Sequence, residues 1–498
     1  MGQFLFDVPE ASAEYIDQAL WKDAYICGIE GVPWQSHVQY AHSRLTVTRG
    51  IESSGKLLIA CPVAGVGYRT LSTCSLRPQD EPYLLVLELA RGSCYRARSQ
   101  SDAWQRAGLT VSKQFSDLLC QGTRRFLDAV QCRDDANASA EASIEAIELL
   151  ERAIADLGES FAIQSIAFRK QRESTIGTLL AGTIVPPSPG QGASAEKFQS
   201  AFNAASVRIS WADIETDAGR FDYDNVESSI AWCTANGLRV IGGPLLDFRE
   251  RLLPHWLYLL EDDFDAFQAA VCQFVEKTVT RLQGTVQLWN CAAGLNTPGP
   301  MELDDEQVMR LALGVLQTVR RCDPQSPAII TFDQPFGEYL SHHRDGISPL
   351  HFADALARSG LGMAGLGLDI RINYQRNATL PRSAVDFGQM IDRWATLGMP
   401  LMVQLSVPGG KGVDANALAP EDILMSKEFL SDPAAEQLRV AAPLIRTLLA
   451  KHFVHGVVWD GWSDAESHLQ SHSGVIDATG QPRPLLEYFV RLRREFLA

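Results

Sequence analysis

Residues Ser206 to Phe248 read SVRISWADIETDAGRFDYDNVESSIAWCTANGLRVIGGPLLDF. A short apolar run is followed by a helical stretch that ends at Asn236-Gly237, and a second apolar run follows. That is one strand–helix–strand unit. The rhythm recurs outward on both sides. The apolar runs are TLLAGTIV (178–185), ASVRISW (205–211), LRVIGGPLL (238–246), VQLWNCAAG (286–294), AIITFDQP (328–335), GLGLDIRI (365–372), PLMVQLSVP (400–408) and FVHGVVWDGW (453–462), with helical stretches between them. Eight such units predict an α/β fold, a (β/α)8 TIM barrel over 176–498. An open doubly wound sheet is the structural alternative; the Gly-rich dinucleotide fingerprint is absent after the first strand, which counts against it.

The segment before the barrel differs. Over 1–110, RLTVTRGI (44–51), KLLIACPV (56–63), YRTLSTCSL (68–76) and PYLLVLELARG (82–92) read as short strands spaced by Gly, Pro and Ser, so a β-rich sandwich or jelly roll is expected. Over 111–175, two stretches with helical periodicity (112–130 and 138–173) flank a turn at Asp134 to Asn137 and predict a helical hairpin, serving as spacer, packing layer or homo-oligomer contact.

The 498 residues are 46% hydrophobic and 21% charged, which describes a folded chain rather than a disordered one. No apolar run reaches the roughly 18 residues of a membrane helix, so no membrane partner is expected. The net charge of -16 and the lack of a basic patch beyond Arg491 to Arg494 argue against a nucleic-acid partner. The ten cysteines show no CxxC spacing; Cys233 and Cys272 read as small buried hydrophobes in a reduced chain. The first residues, MGQFLFDVPE, lack the features of a secretory signal, and a cytoplasmic location is expected.

Trp211, Glu215, Gly219, Phe221, Asn236, Gly237, Gly242, Leu245, Pro254 and Trp256, with the closing segment GVIDATGQPRPLLEYF (474–489), form a frame. It resembles the xylanases of glycoside hydrolase family 10 over about 176–498. The resemblance implies a barrel that cleaves β-linked polysaccharide with two glutamates, one a proton donor and one a nucleophile. Both positions depart from the family. Its fourth strand ends in W-D-x-x-N-E, whereas this chain has Trp289-Asn290-Cys291-Ala292-Ala293-Gly294, so Gly294 stands at the acid/base position. The nucleophile position is Gln404, an uncharged amide. Among the sugar-gripping positions, Ser210, Gly243, Asp247, Phe248 and Ser406 replace the family's residues, and Asp369-Ile370-Arg371 replaces Q-S-H.

The replacements bring their own charges. Asp247, Asp333, Asp369 and Asp460 fall near the C-terminal ends of strands three, five, six and eight, and Arg208 and Arg371 near those of two and six, the face where barrel sites sit. Each aspartate is equally readable as a helix cap or an arginine partner. Together with Gln404 they are candidates to line a polar pocket for a different sugar or anion. Trp211, Trp289, Trp459 and Trp462 are candidate sugar platforms or core residues. A divalent cation among the aspartates, and a metal at His468 and His472, are weighed and not adopted; no metal or cofactor is expected. His342 and His343 read as solvated. Three readings follow: a non-catalytic carbohydrate-binding or scaffold barrel, with oligo- or polysaccharide as partner; an active glycosidase with relocated carboxylates, the candidates being Asp247, Asp369, Asp460, Glu302 and Glu338; and a structural or assembly protein with a vestigial cleft.

Overall fold

The computed structural model describes residues 2–16, 20–28, 30–173, 175–187, 193–249, 251–342, 346–375 and 378–497. The chain divides into two units, one of residues 1–168, 336–345 and 379–391, the other of residues 169–335, 346–378 and 392–498. His343 lies outside the described residues.

In the first unit, Gly2–Asp7 pairs antiparallel with Arg44–Arg49, which pairs with His37–Ala41; Tyr83–Leu84 adds a short parallel edge. A second sheet joins Tyr25–Cys27, Lys56–Val63 and Gly67–Ser72. Period-two alternation places Phe4, Phe6, Leu45 and Val47 inside. They share one core with Leu57, Ile59 and Leu71 of the second sheet and with Leu85, Leu89, Ala97, Ile147, Leu150 and Ile154 from helices. The run Pro82 to Gly92, expected as a strand, is corrected: only Tyr83–Leu84 is strand, and Leu85–Arg106 is a helix. An apolar run buried on all sides has no period to distinguish the two states. Its Leu, Ala, Glu and Arg content favours the helix. Gly92 lets that helix lie against Ser72, whose carbonyl oxygen would be 1.7 Å from an added Cβ. The expected hairpin contains helices Lys113–Gln131 and Ala136–Arg172.

The second unit carries eight parallel strands: β1 Leu179–Ile184, β2 Ala204–Val207, β3 Arg239–Gly242, β4 Leu288–Ala293, β5 Ala328–Asp333, β6 Gly365–Arg371, β7 Leu401–Ser406 and β8 Val454–Trp459. Each pairs with its sequence neighbours; β8 returns to β1 and β3 meets β4, so the sheet closes into a (β/α)8 barrel. The inward positions step by two along each strand and form layers. The lower layer is apolar: Ala181, Ala204, Ile241, Ile329, Met402 and Val458. Two residues on, Thr183, Ser206, Asn290, Thr331, Gln404 and Asp460 line a polar cavity. Two residues further, the strand ends supply Arg208, Asp333 and Arg371.

Glycines let these layers close. At Gly367, a Cβ would fall 2.1 Å from Thr331 Oγ1 and 2.9 Å from the Thr331 Cα. Thr331 occupies that space and donates to Asn290 Oδ1 at 3.1 Å. No disulfide links the ten cysteines; Cys233 is buried as expected, whereas Cys272 is only half-buried, and Cys120 and Cys132 are exposed. Among the described residues no helix is long and apolar enough to cross a membrane.

Gly367→Ala must displace a neighbouring strand backbone and is expected to cost about 1–3 kcal/mol in urea unfolding. The control Gly177→Ala, where nothing lies within 4 Å, should change stability by less than about 0.5 kcal/mol. Equal effects at the two positions would contradict the packing argument.

Candidate functional site

The aspartates and arginines expected at the strand ends come together at the barrel mouth as one ion network. Arg208 donates to Asp247 Oδ2 at 2.7 Å. Arg249 grips the same carboxylate with two donors, Nε to Oδ1 and Nη2 to Oδ2, each 2.6 Å. Its third donor, Nη1, reaches Asp369 Oδ2 at 2.9 Å. Arg371 continues the chain, donating to Asp333 Oδ2 at 3.0 Å and to Glu421 Oε1 at 2.9 Å, with its Nε 3.7 Å from Asp369. Asp460, at the end of β8, is buried, and its Oδ2 has no hydrogen-bond partner.

Three guanidiniums therefore face five carboxylates away from water. Burial alone raises the Asp247 carboxyl; Arg249 and Arg208 more than reverse this and hold it at about 2. The others move the opposite way. Burial, reinforced by neighbouring carboxylates, pushes Asp333 up to about 6 and Glu421 up to about 7. Burial also raises Asp369 and Asp460, against the pull of the arginines. A carboxyl raised in this way keeps its proton to a higher pH than it would in water. Removing one partner of a buried pair of this kind costs about 3–5 kcal/mol.

The network lies at the C-terminal ends of the strands. The cavity beneath it, lined by Arg208, Arg249, Asn290, Asp369, Gln404 and Asp460 among others, has a volume of about 10 Å³. That is about the space of one water molecule. Gln404 is half-buried at its edge, in register with Asp369. Gly294 adopts φ +76°, and a Cβ there would lie 2.8 Å from Arg249 Cγ. The space that a side chain at 294 would enter is thus taken by the arginine stem. At Gly243 a Cβ would fall 2.3 Å from the Asn290 carbonyl oxygen, and Ser210 caps a short helix by accepting from Asp213 N at 3.4 Å.

Other expected site residues lie elsewhere. The tryptophans, expected either as platforms or as core residues, are packed inside. Trp211 stacks on Phe274 at 4.7 Å, Trp289 donates to Asp323 at 2.9 Å, Trp459 to the Ser473 carbonyl at 3.0 Å and Trp462 to Ser194 at 3.1 Å, and all four are buried. Glu302 is exposed, between β4 and helix Asp305–Cys322. Glu338 belongs to the first unit and accepts from Arg382 at 2.9 Å. His342 stands 3.4 Å from Asp23. Two members of the network were not anticipated. Arg249 follows Asp247 by two residues, a spacing that could have suggested the pair; Glu421 sits in a loop with no distinguishing pattern.

The frame residues prove to be a local lock. Trp211 Nε1 donates to Glu215 Oε2 at 2.8 Å, Glu215 Oε1 accepts from Gly219 N at 2.7 Å, and Trp256 Nε1 donates to the Glu215 carbonyl at 3.1 Å. Gly219 has φ +83°, which suits the turn that brings its N–H back.

No protein-family model and no curated protein matches the chain by sequence. Solved structures similar to it include xylanase 10B from Thermotoga maritima, 14% identical over 66% of this chain and 98% of that one, TM-score 0.49. Xylanase B from Clostridium stercorarium F9 is 14% identical over 66% and 98%, TM-score 0.47. TsXylA from Thermoanaerobacterium saccharolyticum is 15% identical over 63% and 95%, TM-score 0.47. The barrel is similar to those of glycoside hydrolase family 10. At this identity the likeness is one of fold, and chemistry has to come from the residues of this chain.

Two outcomes are expected. A carboxyl raised by folding binds its proton more tightly in the folded chain, so stability falls as pH rises from its ordinary value to the raised one. For Asp333 and Glu421 that window runs from about pH 4 to about pH 7. Asp247 acts oppositely, its stabilisation being lost as pH falls toward about 2. Urea unfolding should show stability declining between these neutral-side limits, and Glu421→Gln should flatten the decline; an unaltered slope would remove Glu421 as its cause. Separately, Gly294→Glu combined with Gln404→Glu should gain no xylan hydrolysis. The new donor meets Arg249 and a backbone conformation that costs a non-glycine residue about 1–3 kcal/mol. Measurable kcat/KM in the Gln404→Glu single variant would reveal a proton donor elsewhere at the mouth.

Proposed function

We propose that this chain is a catalytically inactive, family-10-like scaffold barrel, in which the former cleft has become part of the folded core. The observation that carries the reading is Arg249. Its stem lies where a side chain at Gly294 would begin, its head ties Asp247 to Asp369, and about 10 Å³ remains beneath the network. Retaining and inverting hydrolysis both need two carboxyls with a sugar between them. The relocated candidates Asp247 and Asp369 are buried and bound to arginine, which supports inactivity over a relocated glycosidase. Burial of the four tryptophans supports a scaffold over a carbohydrate-binding cleft. Homo-oligomerisation through the helices of the first unit, where Leu127 and Ile163 are exposed, belongs to the same reading.

The test is turnover of xylan and of dinitrophenyl xyloside, with calorimetric titration of xylo-oligosaccharides. Neither hydrolysis nor binding is expected. Turnover abolished by Asp369→Asn or Asp460→Asn would establish the relocated glycosidase instead. Binding lost in Gln404→Ala would establish a carbohydrate-binding mouth.

A further inference from the structure

The segments that follow β7 and β8 meet in a short parallel pairing, Ala417–Ala419 with His468–Gln470. Beside it stand two imidazoles and two carboxylates. His468 Nδ1 is 2.8 Å from the Glu466 carbonyl oxygen, and His472 Nε2 is 3.0 Å from that of Gly412. A carbonyl oxygen only accepts, so these two nitrogens carry the ring hydrogens. In the neutral rings the other nitrogens, His468 Nε2 and His472 Nδ1, hold lone pairs, and both face carboxylates. His468 Nε2 lies 2.9 Å from Asp414 Oδ2 and 3.7 Å from Asp464 Oδ1. His472 Nδ1 lies 3.5 Å from Asp414 Oδ2 and 3.8 Å from Asp464 Oδ2.

Asp414 Oδ2 also accepts from His472 N at 2.7 Å and Asp464 from Arg483, but lone pairs opposed at this range in a buried site still call for a cation between them, a proton or a metal ion. His468, Asp464 and His472 are 2%, 1% and 8% exposed, so water does not supply the compensation cheaply. Ligand atoms of Asp414, Asp464 and His472 lie within 4.8 Å of one another. Ligands bound at about 2.0–2.2 Å around one ion sit roughly 3.3–4 Å apart, so small shifts complete the set. The surroundings have the form that metal ligands require. The ring hydrogens are held by carbonyls, and Asp464 is oriented by Arg483 at 2.5 Å and by Gly474 N at 2.7 Å.

We propose that Asp414, Asp464 and His472, with His468 beside them, bind one divalent first-row metal ion. Imidazole nitrogen and carboxylate oxygen together suit zinc or cobalt better than calcium or magnesium. The ion joins the segment after β7 to the segment after β8, a structural clasp independent of whether the barrel mouth is active.

The full chain, stripped with a chelator, is titrated with Zn²⁺ by calorimetry and with Co²⁺ by visible absorption. The expected result is one saturable equivalent, a Co²⁺ spectrum of nitrogen–oxygen coordination, and a higher Tm with Zn²⁺. Asp414→Asn and His472→Gln should each weaken binding about tenfold or more, with far-UV circular dichroism unchanged. Weakening in either variant supports the site, so one misfolded variant does not remove the test. Absence of saturable binding by the wild type overturns the proposal and leaves protons between the rings and the carboxylates. Affinity unchanged in both variants also overturns it, placing the ion on other groups such as exposed Cys120 or Cys132.

Discussion

The guanidinium of Arg249 donates to Asp247 on one side and to Asp369 on the other, and the top of the barrel is arranged around that bridge. Asp247 holds Arg208 as well, and Asp369 lies beside Arg371, which carries Asp333 and Glu421. A sugar cleft keeps polar groups ready for hydroxyls and leaves room for a ring. Here the chain's own cations meet many of the polar groups, while Asp333 Oδ1, Asp369 Oδ1 and Asp460 Oδ2 keep no hydrogen-bond partner. The apolar lower layer is ordinary barrel core; above it come a polar layer and then a charged one.

Much of this was legible in the sequence. Eight apolar runs separated by helical stretches specify the barrel, because each strand must be buried on both faces. Asp247, Asp333, Asp369 and Asp460 could be assigned to the rim because they end those runs. Their joint burial could not be read, since it depends on Arg249, which reaches across the mouth to β6, and on Glu421, contributed by a loop. The tryptophans show the same limit. Residue type announces a large flat ring with one donor, but whether the ring faces a cleft or a helix follows from packing. Trp289, low on β4 and bonded to Asp323, has its position fixed by tertiary contacts alone. Leu85 to Gly92 failed for a local reason: a run apolar at every position carries no period.

The motif that made the barrel recognisable and the residues that would make it an enzyme occupy different places. Trp211, Glu215, Gly219 and Trp256 close a turn after β2 through their own hydrogen bonds. None of them belongs to the ion network.

For anyone sorting sequences by pattern, the Trp211–Glu215–Gly219 lock has a practical meaning. It holds the turn after β2 by its own hydrogen bonds, whatever chemistry the mouth performs. A search profile weighted toward such positions gathers architectures, whereas a profile weighted toward the ends of β4 and β7 gathers chemistries. On the inactive reading proposed above, chains of the present kind separate the two at positions 294 and 404.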